Sequence, residues 1–226
     1  MALGMHHRFI PAILAVLTAL ATVSPTFAEN GKADKKPFLS TSHQRIVFLG
    51  DSITDGNTYP TLIRQALTEA GYAAPLCINA GIGGDTAAGM RGRLDTTVLP
   101  YKPTLVTISA GVNDAGLGIA GTNYEADTTW IVNHLKAAGA SVILLTPNIL
   151  DPADSPASTN VLAYVQILQL LASTNGIALA DVNKRMQEAR SAGQGLLEPD
   201  GIHPNYEGQR ILARALLDAM GYRDVP

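Results

Sequence analysis

Cysteine, aromatic residues and charged residues are all scarce in this chain of 226 residues. The one cysteine, Cys77, cannot form an intramolecular disulfide, so disulfides within the chain do not hold the fold together. It lies in an apolar run, where a small buried residue is expected rather than a nucleophile. Aromatic residues make up 5% of the chain and charged residues 15%, against 46% hydrophobic residues. This composition favours one compact domain with a large core.

Long basic runs are missing as well. The formal net charge is −3 at pH 7, and Lys35-Lys36 and Lys184-Arg185 are the only adjacent basic pairs. Nucleic acids and anionic membrane surfaces are bound mainly through clustered Lys and Arg residues. We therefore expect no nucleic-acid partner, and we interpret both basic pairs as solvated charge.

Spacings typical of metal ligands and of nucleotide-binding loops are also missing. No histidine stands in a Cys/His/Asp pattern typical of zinc sites; the five are His6, His7, His43, His134 and His203. The glycine-rich loop at residues 81–84 lacks both the G-x-G-x-x-G spacing and a G-K-[ST] ending. Phosphate binding at a helix N-terminus stays open there as an alternative. The sequence therefore predicts no metal and no cofactor.

The first 28 residues have the features of a secretory signal peptide. A positively charged start precedes the apolar residues 10–23, and small residues, Thr26 and Ala28, stand at the expected cleavage positions. The apolar stretch is shorter than the ~20 residues of a membrane-spanning helix, and no cysteine near Ala28 could accept a lipid. We predict cleavage after Ala28, a polar lead-in at residues 29–42 and one domain at residues 43–226. The mature protein is expected to be secreted or periplasmic, without a membrane span.

Short apolar runs that end at glycine, proline or polar residues predict five β-strands. The runs are residues 46–49, 76–78, 105–109, 141–146 and 177–180. Helical spacing of apolar residues predicts the helices, at residues 59–70, 87–94, 124–138, 159–173, 184–190 and 206–220. The stretches that begin at Gly50 and Gly111, after the first and third strands, are expected to be loops.

Strands that alternate with helices imply a parallel sheet covered by helices on both faces. We predict an α/β fold with a five-stranded parallel sheet in the order 2-1-3-4-5. In such folds the ligand binds outside the carboxyl ends of the strands, where the strand order reverses. The polar clusters that follow the strands are therefore expected at this edge.

Ser52 follows the first predicted strand directly. Gly50 permits a tight exit from the strand, and the Asp51 carboxylate can brace the turn by accepting backbone N–H groups. A serine held in this way is a candidate nucleophile. Taken alone, the pattern more often marks an ordinary strand-to-helix turn, because Gly, Asp and Ser are common turn residues.

Further polar clusters supply the other groups that ester hydrolysis needs. His203 is a candidate base, and Asp200 could hold its Nδ1 while Nε2 faces Ser52. Gly84, the Asn113 side-chain amide and the Ser52 N–H are candidate oxyanion donors. Taken singly, His203 could be structural and Asn113 a helix cap or turn residue.

Four motifs resemble the sequence blocks of the SGNH-hydrolase (GDSL esterase/lipase) superfamily. They are G-D-S-I-T at residues 50–54, N-A-G-I-G-G-D-T at 79–86, G-V-N-D at 111–114 and D-G-I-H-P-N at 200–205. They occur in the order of that family and span most of the mature chain. Ile53 stands where the name motif has leucine, which changes only apolar packing.

The resemblance implies a flavodoxin-like three-layer α/β/α sandwich and the hydrolysis of carboxylic esters. By matched position, Ser52 would be the nucleophile, His203 the base and Asp200 its partner. Gly84 and Asn113, together with the Ser52 N–H, would form the oxyanion hole.

The motifs leave the substrate open, because the family includes lysophospholipases, thioesterases, arylesterases and carbohydrate O-acetylesterases. Aromatic residues are too few for an evident sugar-stacking platform, although Tyr59, Tyr124, Trp130 or Tyr206 could line a rim. We predict short acyl esters, such as O-acetyl groups on carbohydrates, and we assume a monomer. Longer acyl chains, and acyl transfer by the same triad, are alternatives. A non-enzymatic binding protein is disfavoured, because no member of the triad is missing.

Overall fold

The computed structural model describes Met1, residues 44–223 and Val225. The predicted polar lead-in, the cleavage position and all of the predicted signal peptide except Met1 lie outside the described residues.

Five parallel strands form a sheet in the order β2-β1-β3-β4-β5. They are β1 (Arg45–Gly50), β2 (Leu76–Gly81), β3 (Leu105–Ser109), β4 (Ser141–Leu145) and β5 (Ala178–Ala180). The predicted α/β fold and its strand order 2-1-3-4-5 are therefore confirmed.

The central strands are buried on both faces, which explains their unbroken apolar runs. Four consecutive residues of β1 have no exposed surface: Ile46, Val47, Phe48 and Leu49. A parallel sheet with helices on both sides selects such runs, because neither face meets water. At the sheet edge β2 is more open, and Leu76 is 58% exposed.

Eight α-helices occur among the described residues. They are α1 (Ser52–Asp55), α2 (Thr58–Glu69), α3 (Ala87–Thr97), α4 (Val112–Gly116), α5 (Gly121–Ala137), α6 (Pro156–Asn175), α7 (Val182–Ser191) and α8 (Tyr206–Ala219), with a 3₁₀ helix at Leu99–Tyr101. Helices α2, α7 and α8 pack together, and α3, α5 and α6 form a second group. The two groups cover the two faces of the sheet, as in a three-layer sandwich.

Two of these helices replace the loops that the sequence analysis predicts. Helix α1 begins at Ser52, and α4 contains Asn113. Each has only four or five residues, which is too short for a periodic apolar pattern to appear in the sequence. Both lie just beyond the end of a strand and carry a candidate site residue.

The register of the sheet brings three connections to one place. Gly50, the last residue of β1, pairs with Gly81 of β2 and with Ser109 of β3. The segments that follow these three strands therefore leave the sheet at the same level. They carry the predicted nucleophile and the predicted oxyanion donors.

Candidate active site

Ser52 is the first residue of α1, and Asp51 caps that helix. Oδ1 of Asp51 accepts the Ile53 N–H at 3.0 Å. The Asp51 carboxyl is 1% exposed. Burial raises its pKa to about 6, against the opposing effects of the Ile53 N–H and of nearby His203. The Ser52 N–H has no acceptor within α1, because the first N–H groups of a helix lack intrahelical partners. Ser52 is thus held at a helix start, with its N–H available to a substrate oxygen.

A chain of hydrogen bonds joins Ser52, His203 and Asp200. Oγ of Ser52 lies 2.9 Å from Nε2 of His203. Nδ1 of the same ring lies 2.7 Å from Oδ2 of Asp200. In the neutral ring with a proton on Nδ1, Nδ1 donates to the carboxylate and Nε2 accepts the Ser52 hydroxyl. This tautomer leaves Nε2 free to take the hydroxyl proton.

Asp200 is held by its own loop. Its Oδ1 accepts two backbone N–H groups, from Ile202 at 2.8 Å and from His203 at 3.0 Å. These bonds, led by the His203 N–H and the His203 ring, lower the pKa of the Asp200 carboxyl to about 2. The carboxylate therefore stays ionised beside the imidazole.

Asn148 anchors the loop of His203, and sequence reasoning misses it. Asn148 follows β4 and is 3% exposed. Its Nδ2 donates to the carbonyl of Ile202, directly before His203, at 2.9 Å. The N–H of Asp151 donates to the carbonyl of Gly201 at 2.8 Å. A polar residue just after a strand, at the carboxyl edge of the sheet, is the signal that could have identified Asn148.

Asn113 is fixed on α4 from two sides. Its Nδ2 donates to the carbonyl of Asp85 at 2.9 Å. The neighbouring Asp114 is 1% exposed, and its Oδ1 accepts the N–H of Ala87, at the start of α3, at 3.1 Å. Burial raises the pKa of the Asp114 carboxyl. An amide nitrogen carries two N–H donors, so the bond to Asp85 leaves the second one for a ligand.

Gly84 lies in the tight turn that precedes Asp85. The N–H of Asp85 donates to the carbonyl of Ile82 at 3.2 Å, which closes the turn around Gly83 and Gly84. Gly84 has φ +78°, the left-handed conformation that a type II turn requires at its third residue. Nothing in the protein lies within 4 Å of where a Cβ would stand. The backbone of Gly84 is therefore open to an approaching ligand.

A cleft of about 430 Å³ adjoins these residues. Asn113 and Asp200 form part of its wall, and aliphatic side chains supply much of the rest, among them Leu117, Leu150, Pro152 and Ile202. Leu117 and Ile202 are 69% and 41% exposed. The cleft therefore offers an apolar surface next to two of the candidate site residues.

Two of the four aromatic residues considered for a rim are buried. Tyr59 and Tyr124 are 0% and 1% exposed, so neither meets a ligand at the surface. The Trp130 ring is stacked on His134, with 4.4 Å between the ring centroids, and the Arg91 guanidinium lies 4.9 Å from its centroid. Tyr206, at the start of α8, is exposed. The sequence pattern does not distinguish these cases, because burial of an aromatic ring depends on tertiary packing.

Among the described residues, no cluster of three or more His, Cys, Asp or Glu side chains is arranged to hold a metal ion. Cys77 is half-buried, and burial raises the pKa of its thiol to about 11, which keeps it protonated near neutral pH. None of the described helices is both long enough and apolar enough to cross a membrane.

The sequence of this chain is similar to a known protein family and to known esterases. Residues 48–211 match the GDSL-like lipase/acylhydrolase family. Esterase TesA of Pseudomonas aeruginosa is 30% identical over 172 residues, covering 74% of this chain and 82% of that protein. An acetylxylan esterase of Geobacillus stearothermophilus is 25% identical over 212 residues, covering 80% of this chain and 95% of that protein.

A solved structure agrees with these sequence matches. The lipase/acylhydrolase from Enterococcus faecalis superposes with a TM-score of 0.72 at 27% identity. The superposition covers 80% of this chain and 96% of that one. The similarity therefore extends over nearly the whole of the solved chain.

Proposed function

The chain belongs to the GDSL-like lipase/acylhydrolase family and is a hydrolase acting on ester bonds; from that premise we propose that Ser52 is its nucleophile. The observation that carries the proposal is the hydrogen-bonded chain from Ser52 Oγ through the His203 ring to Asp200. A nucleophile, a base and a group that orients the base are thereby in contact in the order that acyl transfer needs.

The mechanism proceeds through an acyl-enzyme. Ser52 Oγ attacks the ester carbonyl carbon while Nε2 of His203 takes the hydroxyl proton. The tetrahedral intermediate collapses, and the departing alkoxide takes that proton from His203. Water then attacks the acyl-enzyme with His203 again as the base, which releases the acid and restores Ser52. Asp200 holds the imidazole in the required tautomer and stabilises its cation.

The negative charge on the carbonyl oxygen is stabilised by fixed donors. The Ser52 N–H, the Gly84 N–H and the second N–H of the Asn113 amide are proposed for this role. All three are on segments that leave the sheet at one level, and none has to reorganise during the reaction.

For the substrate we propose short acyl esters, such as O-acetyl groups on carbohydrates. The support is the similarity to an acetylxylan esterase over 95% of that protein's length. A soluble sugar ester also suits the proposed export after cleavage at Ala28, with the mature domain acting as a monomer.

Longer acyl chains are a second candidate, favoured by the aliphatic cleft. Its volume of about 430 Å³ is within the usual range of small-molecule sites, and its apolar side chains suit an alkyl chain better than a sugar ring. Burial of each additional CH₂ contributes roughly 0.8 kcal/mol, so chain length should affect kcat/KM strongly if the cleft holds the acyl group.

A p-nitrophenyl ester series from acetyl to palmitoyl, run beside a panel of acetylated polysaccharides, tests the substrate. The first proposal predicts highest kcat/KM with acetyl and release of acetate from the polysaccharides. A steady rise in kcat/KM towards octanoyl, with no acetate released, supports the second. Product analysis with a sugar acceptor separates hydrolysis from acyl transfer. If a fluorophosphonate forms its adduct at a residue other than Ser52, the proposed nucleophile is wrong.

A further inference from the structure

Arg93 connects the end of β1, just before Ser52, to the loop after β2, whose Asp85 carbonyl accepts a hydrogen bond from Asn113. It lies on α3, outside the turns that carry the candidate triad, and its side chain is 13% exposed. We propose that Arg93 is a positioning residue that sets the distance between Ser52 and the oxyanion donors. This inference rests on the proposed function.

The guanidinium reaches both sides of the site. Its Nη2 donates to the carbonyl of Gly50 at 3.1 Å, two residues before Ser52. Its Nε lies 2.6 Å from Oδ2 of Asp85, whose side chain is 10% exposed. Its Nη1 donates to Thr97 Oγ1 at 3.2 Å, which fixes the guanidinium plane from within α3. One rigid group thus spans the end of β1 and the loop after β2.

Asp85 links Arg93 to Asn113, because it binds both residues. The Asp85 carboxylate binds Arg93, and the backbone carbonyl of the same residue accepts Nδ2 of Asn113 at 2.9 Å. The Gly50 carbonyl also accepts the Ile82 N–H at 3.1 Å, at the start of the turn that contains Gly84. A shift of Arg93 would therefore move both the Asn113 amide and the Gly84 turn relative to the nucleophile.

Arginine suits this role better than lysine. Its planar guanidinium presents five N–H donors in fixed directions, so three acceptors on different segments are held at once. A lysine ammonium can pair with Asp85 but lacks the fixed geometry that reaches Gly50 and Thr97 together. A purely structural ion pair would affect unfolding rather than the chemical step, because removing one partner leaves the other charge buried and uncompensated.

The test compares Arg93→Lys and Arg93→Met with Arg91→Met. Arg91 is on the same helix, its side chain is 44% exposed, and it pairs with Asp127 rather than with the site. We expect Arg93→Met to lower kcat on the order of 10-fold to 100-fold, with KM within about 2-fold, because small misplacement of catalytic groups costs about that much. Arg93→Lys should fall between Arg93→Met and the wild type, and Arg91→Met should keep the wild-type kcat.

A double-mutant cycle identifies the route through which Arg93 acts. If Arg93 positions the oxyanion donor, Arg93→Met should cost much less kcat in an Asn113→Ala background than in the wild type. Equal fold losses in both backgrounds would overturn the inference. If Arg93→Met does not fold, the same cycle is run with Arg93→Lys, and its melting temperature is measured alongside.

Failure of this inference differs from failure of the proposed function. Labelling of Ser52 by a fluorophosphonate, together with full kcat in folded Arg93→Lys and Arg93→Met, rejects the role of Arg93 alone. Labelling at another residue rejects the proposed function, whatever the Arg93 variants do.

Discussion

Nδ1 of His203 lies 2.7 Å from Oδ2 of Asp200, although the two side chains are 42% and 47% exposed. Burial does not hold this pair together. The orientation comes from the loop, in which Oδ1 of Asp200 accepts the N–H groups of Ile202 and His203. The carboxylate is thus fixed by backbone donors and in turn fixes the imidazole.

Asp200→Asn should lower kcat strongly but leave measurable turnover. An asparagine at this position can still accept the backbone N–H groups through its oxygen, but its NH₂ cannot accept the Nδ1 proton. The wrong tautomer is then favoured, which in triad enzymes costs up to about 10⁴-fold. Initial-rate kinetics on a soluble ester measure the loss.

The histidine provides the matching control. His203→Ala should be at least as inactive as Asp200→Asn, whereas His134→Ala should keep wild-type activity, because His134 pairs with Asp95 on the surface. An active His203→Ala beside an inactive Asp200→Asn would show that base and orienting group have been misassigned.

Ser52→Ala should abolish turnover while the protein remains folded. The hydroxyl is the only part lost, and Asp51 still caps α1 through the Ile53 N–H. Circular dichroism checks the fold, and ester hydrolysis checks the activity. Ser191→Ala, which removes an exposed hydroxyl on α7, should have no effect on rate. Substantial hydrolysis by folded Ser52→Ala would eliminate the acyl-enzyme at this residue.

Asn113→Ala should reduce kcat on the order of 10²-fold or more with little change in KM. The lost donor acts mainly on the charge that develops in the transition state, so ground-state binding is spared. Asn123→Ala, at an exposed position of α5, is the matched control. A rise in KM at unchanged kcat would instead assign Asn113 to substrate binding.

Asp51 should make stability depend on pH in an unusual direction. Its pKa is raised from 3.8 to about 6 in the folded state, so between these values the folded protein binds more protons than the unfolded chain. The contribution of Asp51 to the free energy of unfolding is therefore highest below pH 3.8 and is lost as the pH rises through about 6. The rise of this pKa from 3.8 to about 6 corresponds to a loss of about 3 kcal/mol of stability across that pH range.

Asp51→Asn isolates that effect, because the asparagine oxygen can still accept the Ile53 N–H without carrying charge. We expect the wild type to lose stability as the pH is raised from about 4.5 to about 7.5, and the variant to lose less, so the stability difference should shift in favour of the variant. Urea unfolding at both pH values measures the difference. Identical pH dependence in the two proteins would contradict the raised pKa of the buried Asp51 carboxyl.

Activity should survive dialysis against EDTA. The proposed rate enhancement comes from the His203 imidazole and from N–H donors, which need no Lewis acid. Rates before and after dialysis, with and without added Zn²⁺ or Ca²⁺, measure this. A lasting loss that either ion restores would assign a metal to the protein.

The sequence by itself determined the fold class, the strand order and the residues of the four motifs. Apolar runs such as residues 46–49 are local signals, since a strand buried on both faces must be apolar along its length. The first three motifs stand at the ends of β1, β2 and β3, so the topology alone brings them to one edge of the sheet. These features can be predicted from the sequence without knowledge of any single tertiary contact.

Only the tertiary structure decided which groups meet. Ser52 and His203 are 151 residues apart in sequence, and their contact depends on how the last loop folds over the sheet edge. The roles of Asn148 and Arg93 arise in the same way, because each reaches its site through a backbone carbonyl group, that of Ile202 or of Gly50. Every residue carries such a group, so the contact leaves no mark in the sequence. Local patterns report which elements form, whereas positioning depends on long-range hydrogen bonds that exist only once the sheet and its register are complete.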